Sequence, residues 1–412
     1  MPELHTSLVR MYVPLSSVGV SVFFLFSTVI LYAVIGQPTP ESYGWVEYML
    51  AVLLIFAVSF NGVRHALIYD AKRPLWCIWG QILLLYGLFV PTIMFLHNGG
   101  GYHQYFRDVV SFLFLFLPLF FYKRIDVEHQ FYVLIAVVFL GVVYSLRSLL
   151  GADKLYYLSN SPAVLFSAIF LCGVALKLFA ERFSFRSLCV SIVFILFAAI
   201  CVFAMFEGKQ RAFIGCFVIS ELVILAFLMR AYPKRVMIIL AILFVVFYNI
   251  TVDIVPFLDV LLEKHRISGL NSRLEEFQAV MSLISEDLTS LLFGKGWGAG
   301  FASPAVAEVH VYYTHSLFSY VLLKGGIVGC TLCLFYFYEL IRYLFYLGRG
   351  QIVLVLALIA PLLVSVLLYA SYKSFDFGLV LLLVSLVIVR ENIQNHMDQK
   401  IHGGEKPQMI EN

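Results

Sequence analysis

The chain has 412 residues, of which 62% are hydrophobic, 16% aromatic and only 13% charged, with a mean hydropathy of +0.93. A soluble domain carries roughly 25% charged residues, so this composition excludes one and points to an integral membrane protein. The formal net charge of +3 gives no case for a nucleic-acid partner.

A helix that crosses a bilayer needs about 20 mainly apolar residues, and on that rule the chain divides into about 12 spans. The first three fall near 13–36, 45–62 and 75–97. The first of these is too long for the apolar core of a cleavable signal, about 7–15 residues, so no such signal is expected. Further spans lie near 106–122, 130–149 and 162–180, followed by 187–206 and 211–230 around a short Glu-Gly-Lys-Gln-Arg turn, and by 235–257. A long polar loop at 256–314 precedes the last three spans, near 315–343, 351–369 and 375–390, and a polar tail fills 391–412. The expected fold is therefore an all-α polytopic membrane protein, with nine spans in 1–255, one large loop and three spans in 315–390. The seven cysteines all fall in apolar segments, so no disulfide is expected, and Cys330-Thr-Leu-Cys333 reads as packing.

Lys and Arg near span ends favour the cytoplasmic side. With the N-terminus inside, 17 of the 28 Lys and Arg residues fall on the inner side, and each inner connection has at least two. The outer connections at 37–44 and 98–105 have none. An even number of spans then puts both termini in the cytoplasm and the long loop outside. The outer cations concentrate at Lys209 and Arg211 in one turn and at Lys264, Arg266, Arg273 and Lys295 in the loop. Either this is an anion-handling site or it is a solvated loop that touches lipid headgroups.

Within the loop, Ser272-Arg-Leu-Glu275 reads as a capping box that puts Arg273 at the first position of a helix. Apolar residues at Leu274, Phe277, Met281, Ile284, Leu288 and Leu291 then predict an amphipathic helix over about 273–292, whose stripe is packing. Arg211 opens one span from the outer side, and His315, after Thr314 as a candidate N-cap, opens another. A cation at a helix N-terminus is unfavourable by about 0.3–1 kcal/mol, and three such placements make sense if an anion sits between them. Arginine matches a phosphate through a bidentate fork. His315 can accept a proton from an attacking hydroxyl; the alternative is an interfacial histidine bonded to backbone. His310 lacks further ligands at metal spacing. Lys324 lies deep in its span and should face a cavity or a partner, or snorkel outward. Gly294-Lys-Gly-Trp-Gly-Ala-Gly300 is either flexible backbone for close approach of a glycan or phosphate or a simple breaker. Gly325-Gly326-Ile-Val-Gly329 reads as close helix packing.

These residues resemble a known family. His315-Ser316, nine residues, then Gly326-Ile-Val-Gly329 is similar to the His-[Asn/Ser/Gln]-x9-Gly-x-x-Gly signature of the O-antigen ligase and O-antigen polymerase superfamily. The Gly-Lys-Gly-Trp-Gly-Ala-Gly-Phe run looks like the glycine-rich stretch of polymerase-like members. Gln210-Arg211-Ala212 is similar to the Ser/Thr-Arg-Gly/Ala that opens the corresponding span, and Arg273 stands where the family has an arginine in its periplasmic loop helix. The resemblance covers roughly residues 200–340; it departs at Gln210, where Ser or Thr is usual, and at Ser316, where Asn is common.

The resemblance implies a GT-C-like, metal-independent glycosyltransferase of the bacterial inner membrane, working at the periplasmic face without a cofactor. Its donor would be a glycan on undecaprenyl diphosphate. Arg211 and Arg273 would hold the diphosphate and His315 would act on the acceptor hydroxyl, with Lys209, Arg266, Lys324 and His310 as further substrate-binding candidates. The glycine-rich run favours a polymerase of O-antigen, capsule or exopolysaccharide repeat units, acting beside a chain-length regulator protein. A ligase that moves the glycan onto lipid A core is the close alternative. A polysaccharide transporter or flippase is a more distant one, disfavoured by the lack of paired repeats and by cations gathered at one face.

Overall fold

A bilayer offers no partner for backbone N–H and C=O groups, so each spanning segment has to close its hydrogen bonds internally as a helix. The computed structural model describes residues 17–35, 45–68, 73–122, 127–151, 158–182, 184–241, 271–306, 309–347 and 350–402. The first half holds α1 (Ser17–Ile35), α2 (Trp45–Leu67), α3 (Leu75–Asn98), α4 (Tyr102–Phe114), α5 (Leu117–Phe121), α6 (Val127–Leu149) and α7 (Pro162–Glu181). The second holds α8 (Phe185–Glu207), α9 (Arg211–Ala231), α10 (Asn271–Ile284), α11 (Leu288–Phe293), α12 (Leu317–Leu347), α13 (Ile352–Leu367) and α14 (Phe375–His402). A further helical stretch occupies 233–241. Two three-residue strands, β1 (Phe301–Ser303) and β2 (Val309–Val311), pair antiparallel with Ala302 opposite His310.

Among the described residues seven helices are long and apolar enough to cross a membrane: α2, α3, α6, α7, α8, α9 and α12. Shorter apolar stretches lie in α1, α13 and α14. The protein is an all-α, multi-pass membrane protein. The span expected at 106–122 is instead broken at Leu115 and Phe116 into α4 and the short, wholly buried α5. Of the span expected at 235–257, only the part up to residue 241 lies within the described residues.

Two helix breaks and one loop lock the centre together. Pro91 inside α3 has no N–H to give the carbonyl four residues back, which leaves Gly87 O unpaired. The Trp297 indole N–H fills that gap, donating to Gly87 O at 2.7 Å, while Trp297 N donates to Pro91 O at 3.2 Å. In α12 the helix breaks at Gly326, whose φ of 63° and ψ of −166° lie where only glycine is comfortable. The freed carbonyls find partners again: Leu323 O accepts from Lys295 N at 2.9 Å, Lys324 O from Gly296 N at 3.1 Å, and Gly325 O from the Tyr86 hydroxyl at 2.6 Å. The glycine-dense run is thus a buried plug between α3 and α12, not an open loop and not a simple breaker. A Cβ on Gly326 would meet the Leu292 carbonyl at 2.4 Å. Gly326→Ala should therefore lose about 1–3 kcal/mol from backbone strain alone, read as a lower melting temperature and a lower yield of folded protein.

The expected loop helix is also corrected. It is two helices, interrupted at 285–287, where Asp287 caps α11 by accepting the Ser290 N–H at 2.7 Å. Ser272 lies inside α10, which begins at Asn271, so Arg273 falls within the first turn and not at its first position. The inward stripe differs too: Leu274, Phe277 and Leu288 are exposed, and the buried line of α10 runs Glu276, Val280, Ile284. Val280 and Ile284 join Phe301, Val311, Leu322 and Leu323 in a small core that seats the loop on the first half of α12. The residues spaced by four face the bundle, and the line begins with a carboxylate.

Candidate active site at the helix ends

Arg211 is the first residue of α9, after a turn in which Lys209 takes a left-handed φ of 53° and is exposed. Gln210 stands at the N-cap without a side-chain cap bond to the helix. Arg273 is half-buried in the first turn of α10. His315 lies two residues before α12, because the helix begins at Leu317 and not at His315. Ser316 is the capping residue there, its Oγ accepting the Ser319 N–H at 3.5 Å, while the Thr314 hydroxyl donates to Ser316 O at 2.7 Å.

Tyr369 and Glu276 link these three helix starts. Tyr369, in the connection after α13, feels the Arg273 and Arg211 guanidiniums together. Burial raises its hydroxyl above the ordinary value, and a backbone hydrogen bond at Ala212 and the two guanidiniums pull it back. Burial likewise lowers Arg273, against the opposing fields of Glu276, Tyr369 and Tyr313. Glu276, one turn after Arg273, reaches His315 directly. Its Oε2 accepts the His315 backbone N–H at 3.1 Å, and both carboxylate oxygens lie 3.2 Å from Nδ1. The Glu276 side chain is 2% exposed and that of His315 is 20% exposed, so the ring keeps a face open to approach. The Tyr313 ring stands edge-on to His315 at 5.8 Å.

The other candidates fall elsewhere. Lys324 is fully buried and its ammonium is occupied, 2.6 Å from Asp108 Oδ2 and donating to the Ala299 carbonyl. Asp108 also binds Lys373 through Oδ1 at 3.1 Å and accepts the Gly298 N–H at 2.9 Å. Lys373 in turn donates to Tyr312 O at 3.2 Å, and the neighbouring Tyr372 hydroxyl donates to Thr314 O at 2.9 Å. This group of two lysines and one aspartate is a brace behind the His315 segment. His310 sits on the outward side of β2, against the Tyr312 ring at 5.2 Å. Arg266 lies outside the described residues.

No family model matches the sequence, and a search of curated proteins returns no significant match.

Glu276, Tyr313, Tyr369, Asp108 and Lys373 were not anticipated from the sequence. For Glu276 a signal was present: it shares the spacing of four with Val280 and Ile284, and a carboxylate on an apolar line calls for a partner. Asp108 and Lys324 carried the same signal, each an ionisable group inside an expected span. Tyr369 stands at the end of an apolar run where nothing marks it out.

Proposed function

We propose that this chain is an integral membrane glycosyltransferase that polymerises undecaprenyl-diphosphate-linked oligosaccharide repeat units at the periplasmic face. What supports this reading is a relay at three helix starts: Glu276 bonds His315 and acts on Arg273, and Tyr369 feels both Arg273 and Arg211. The resemblance of His315-Ser316 and Gly326-Ile-Val-Gly329 to the O-antigen ligase and polymerase signature supports it independently. In this reading the chain is GT-C-like, with about 12 spans set by bilayer thickness and both termini in the cytoplasm.

Chemically, transfer needs a base for the acceptor hydroxyl and stabilisation of the departing lipid diphosphate. Negative charge grows on the bridging oxygen as the glycosidic bond breaks. Fixed guanidiniums placed there favour the transition state over the ground state. His315 takes the hydroxyl proton. A ligase delivering the glycan to lipid A core would use the same chemistry, so the acceptor decides between the two.

A strain lacking the gene tests the choice. Loss of the polymerase should leave single repeat units on lipid A core or a capsule anchor, whereas loss of a ligase should leave unattached polymer on its lipid carrier. The purified protein should release lipid diphosphate from lipid-linked repeat units, and His315→Ala should cut that release to a small residual rate. Movement of the lipid-linked glycan across vesicles without bond cleavage would instead make the protein a flippase.

A further inference from the structure

We infer that Glu276 is the positioning residue for His315, holding the imidazole in the tautomer whose Nε2 receives the acceptor's proton. This rests on the glycosyltransferase reading above.

The geometry is that of a carboxylate fixed from several sides. Glu276 accepts the His315 backbone N–H at 3.1 Å, faces Nδ1 with both oxygens at 3.2 Å, and accepts from the Ser303 hydroxyl of β1 at 3.5 Å. An ionised carboxylate only accepts, so the ring nitrogen beside it carries the hydrogen. Nε2 then holds the lone pair, on the side of the ring away from Glu276. The backbone contact and the ring contact come from one carboxylate, so the segment before α12 and the ring orientation are set by one side chain. Arg273 sits one turn earlier on the same helix. The helix therefore fixes the spacing between the group facing the leaving diphosphate and the group behind the base.

The step balances as follows. The acceptor O–H gives its proton to Nε2 as its oxygen bonds to the anomeric carbon. The bond from that carbon to the diphosphate oxygen breaks, and the lipid diphosphate leaves with the electron pair. The imidazolium so formed faces Glu276, and the attraction is stronger than with the neutral ring. Glu276 contacts the ring directly and Tyr313 packs edge-on to it, while Arg273 and Tyr372 feel the Glu276 carboxylate.

A merely structural Glu276, tying the loop to α12, would affect folding and leave the chemistry of folded protein unchanged. The two are separated with purified full-length protein and lipid-linked repeat units extracted from membranes of the deletion strain. Glu276→Gln should lower kcat by about 100-fold with donor KM within about 3-fold of wild type. In a His315→Ala background, Glu276→Gln should cause no further loss of the residual rate. A kcat near wild type in Glu276→Gln, or a full additional loss in the His315→Ala background, would overturn the inference. Should Glu276→Gln fail to accumulate in the membrane, Glu276→Asp decides: it should lower kcat with donor KM within about 3-fold of wild type, and an unchanged kcat would count against the inference. If wild-type protein releases no lipid diphosphate, the glycosyltransferase reading falls and this inference with it. If wild type turns over, His315→Ala falls to its residual rate and Glu276→Gln is normal, only this inference falls.

Discussion

Replacing Arg273 or Arg211 by alanine is expected to abolish glycan transfer while the protein still accumulates in the membrane. Both halves of that outcome follow from where the guanidiniums lie. Each stands in the first turn of its helix, where a cation opposes the dipole by about 0.3–1 kcal/mol, so folding does not depend on it. Removing one preorganised partner of a developing oxyanion costs on the order of 100–1000-fold in kcat. Lysine should restore little of this, because a point charge cannot make the planar two-pronged contact with a phosphate. Both guanidiniums act on Tyr369, and in the proposed function one diphosphate engages both. The loss in the double variant should then fall short of the product of the single losses. The measurement is lipid-diphosphate release by purified variants beside quantified membrane protein. Near-normal release by both single variants would reduce the arginines to headgroup anchors.

The all-α, multi-pass character was legible because bilayer thickness imposes one rule on every span. Helices such as α7, α8 and α9 could be read from apolar length, and Arg211 at the head of α9 followed from the turn before it. The break between α4 and α5 had one local signal, Pro118 at the start of α5, and buried backbone inside protein can break where lipid-facing backbone cannot. The stripe on α10 was misread for a related reason: in a membrane protein an apolar side chain need not face the bundle, so Leu274 and Phe277 carry no inward signal. Polar residues carry more information there than apolar ones. Glu276, Asp108 and Lys324 each sit in apolar company, and each proves to be paired. The glycine-rich run shows the limit of local pattern. Its role depends on Pro91 and Gly326, far away in sequence, leaving carbonyls that its N–H groups meet.

The brace behind His315 should be the protein's most sensitive structural point. Asp108→Ala would leave the Lys324 and Lys373 ammoniums without their shared counter-charge, with Lys324 fully buried. Breaking a buried ion pair from one side costs about 3–5 kcal/mol, because the remaining charge stays desolvated. Here two charges are stranded, and the Gly298 N–H also loses its acceptor, so the plug between α3 and α12 loosens with it. Lys324→Met should cost less: Asp108 keeps Lys373 and Gly298, and a thioether fills most of the vacated volume. Combining Lys324→Met with Asp108→Ala should recover part of the stability lost by Asp108→Ala alone, since one stranded charge is then gone. Thermal unfolding of the purified proteins gives the order directly. Lys373 and Tyr372 reach the carbonyls of Tyr312 and Thr314, so damage at Asp108 should also displace His315 and lower kcat in whatever protein remains folded. An Asp108→Ala protein as stable and as active as wild type would mean that the two lysines are neutral in the folded chain, and that His315 is held by Glu276 and the cap of α12 alone.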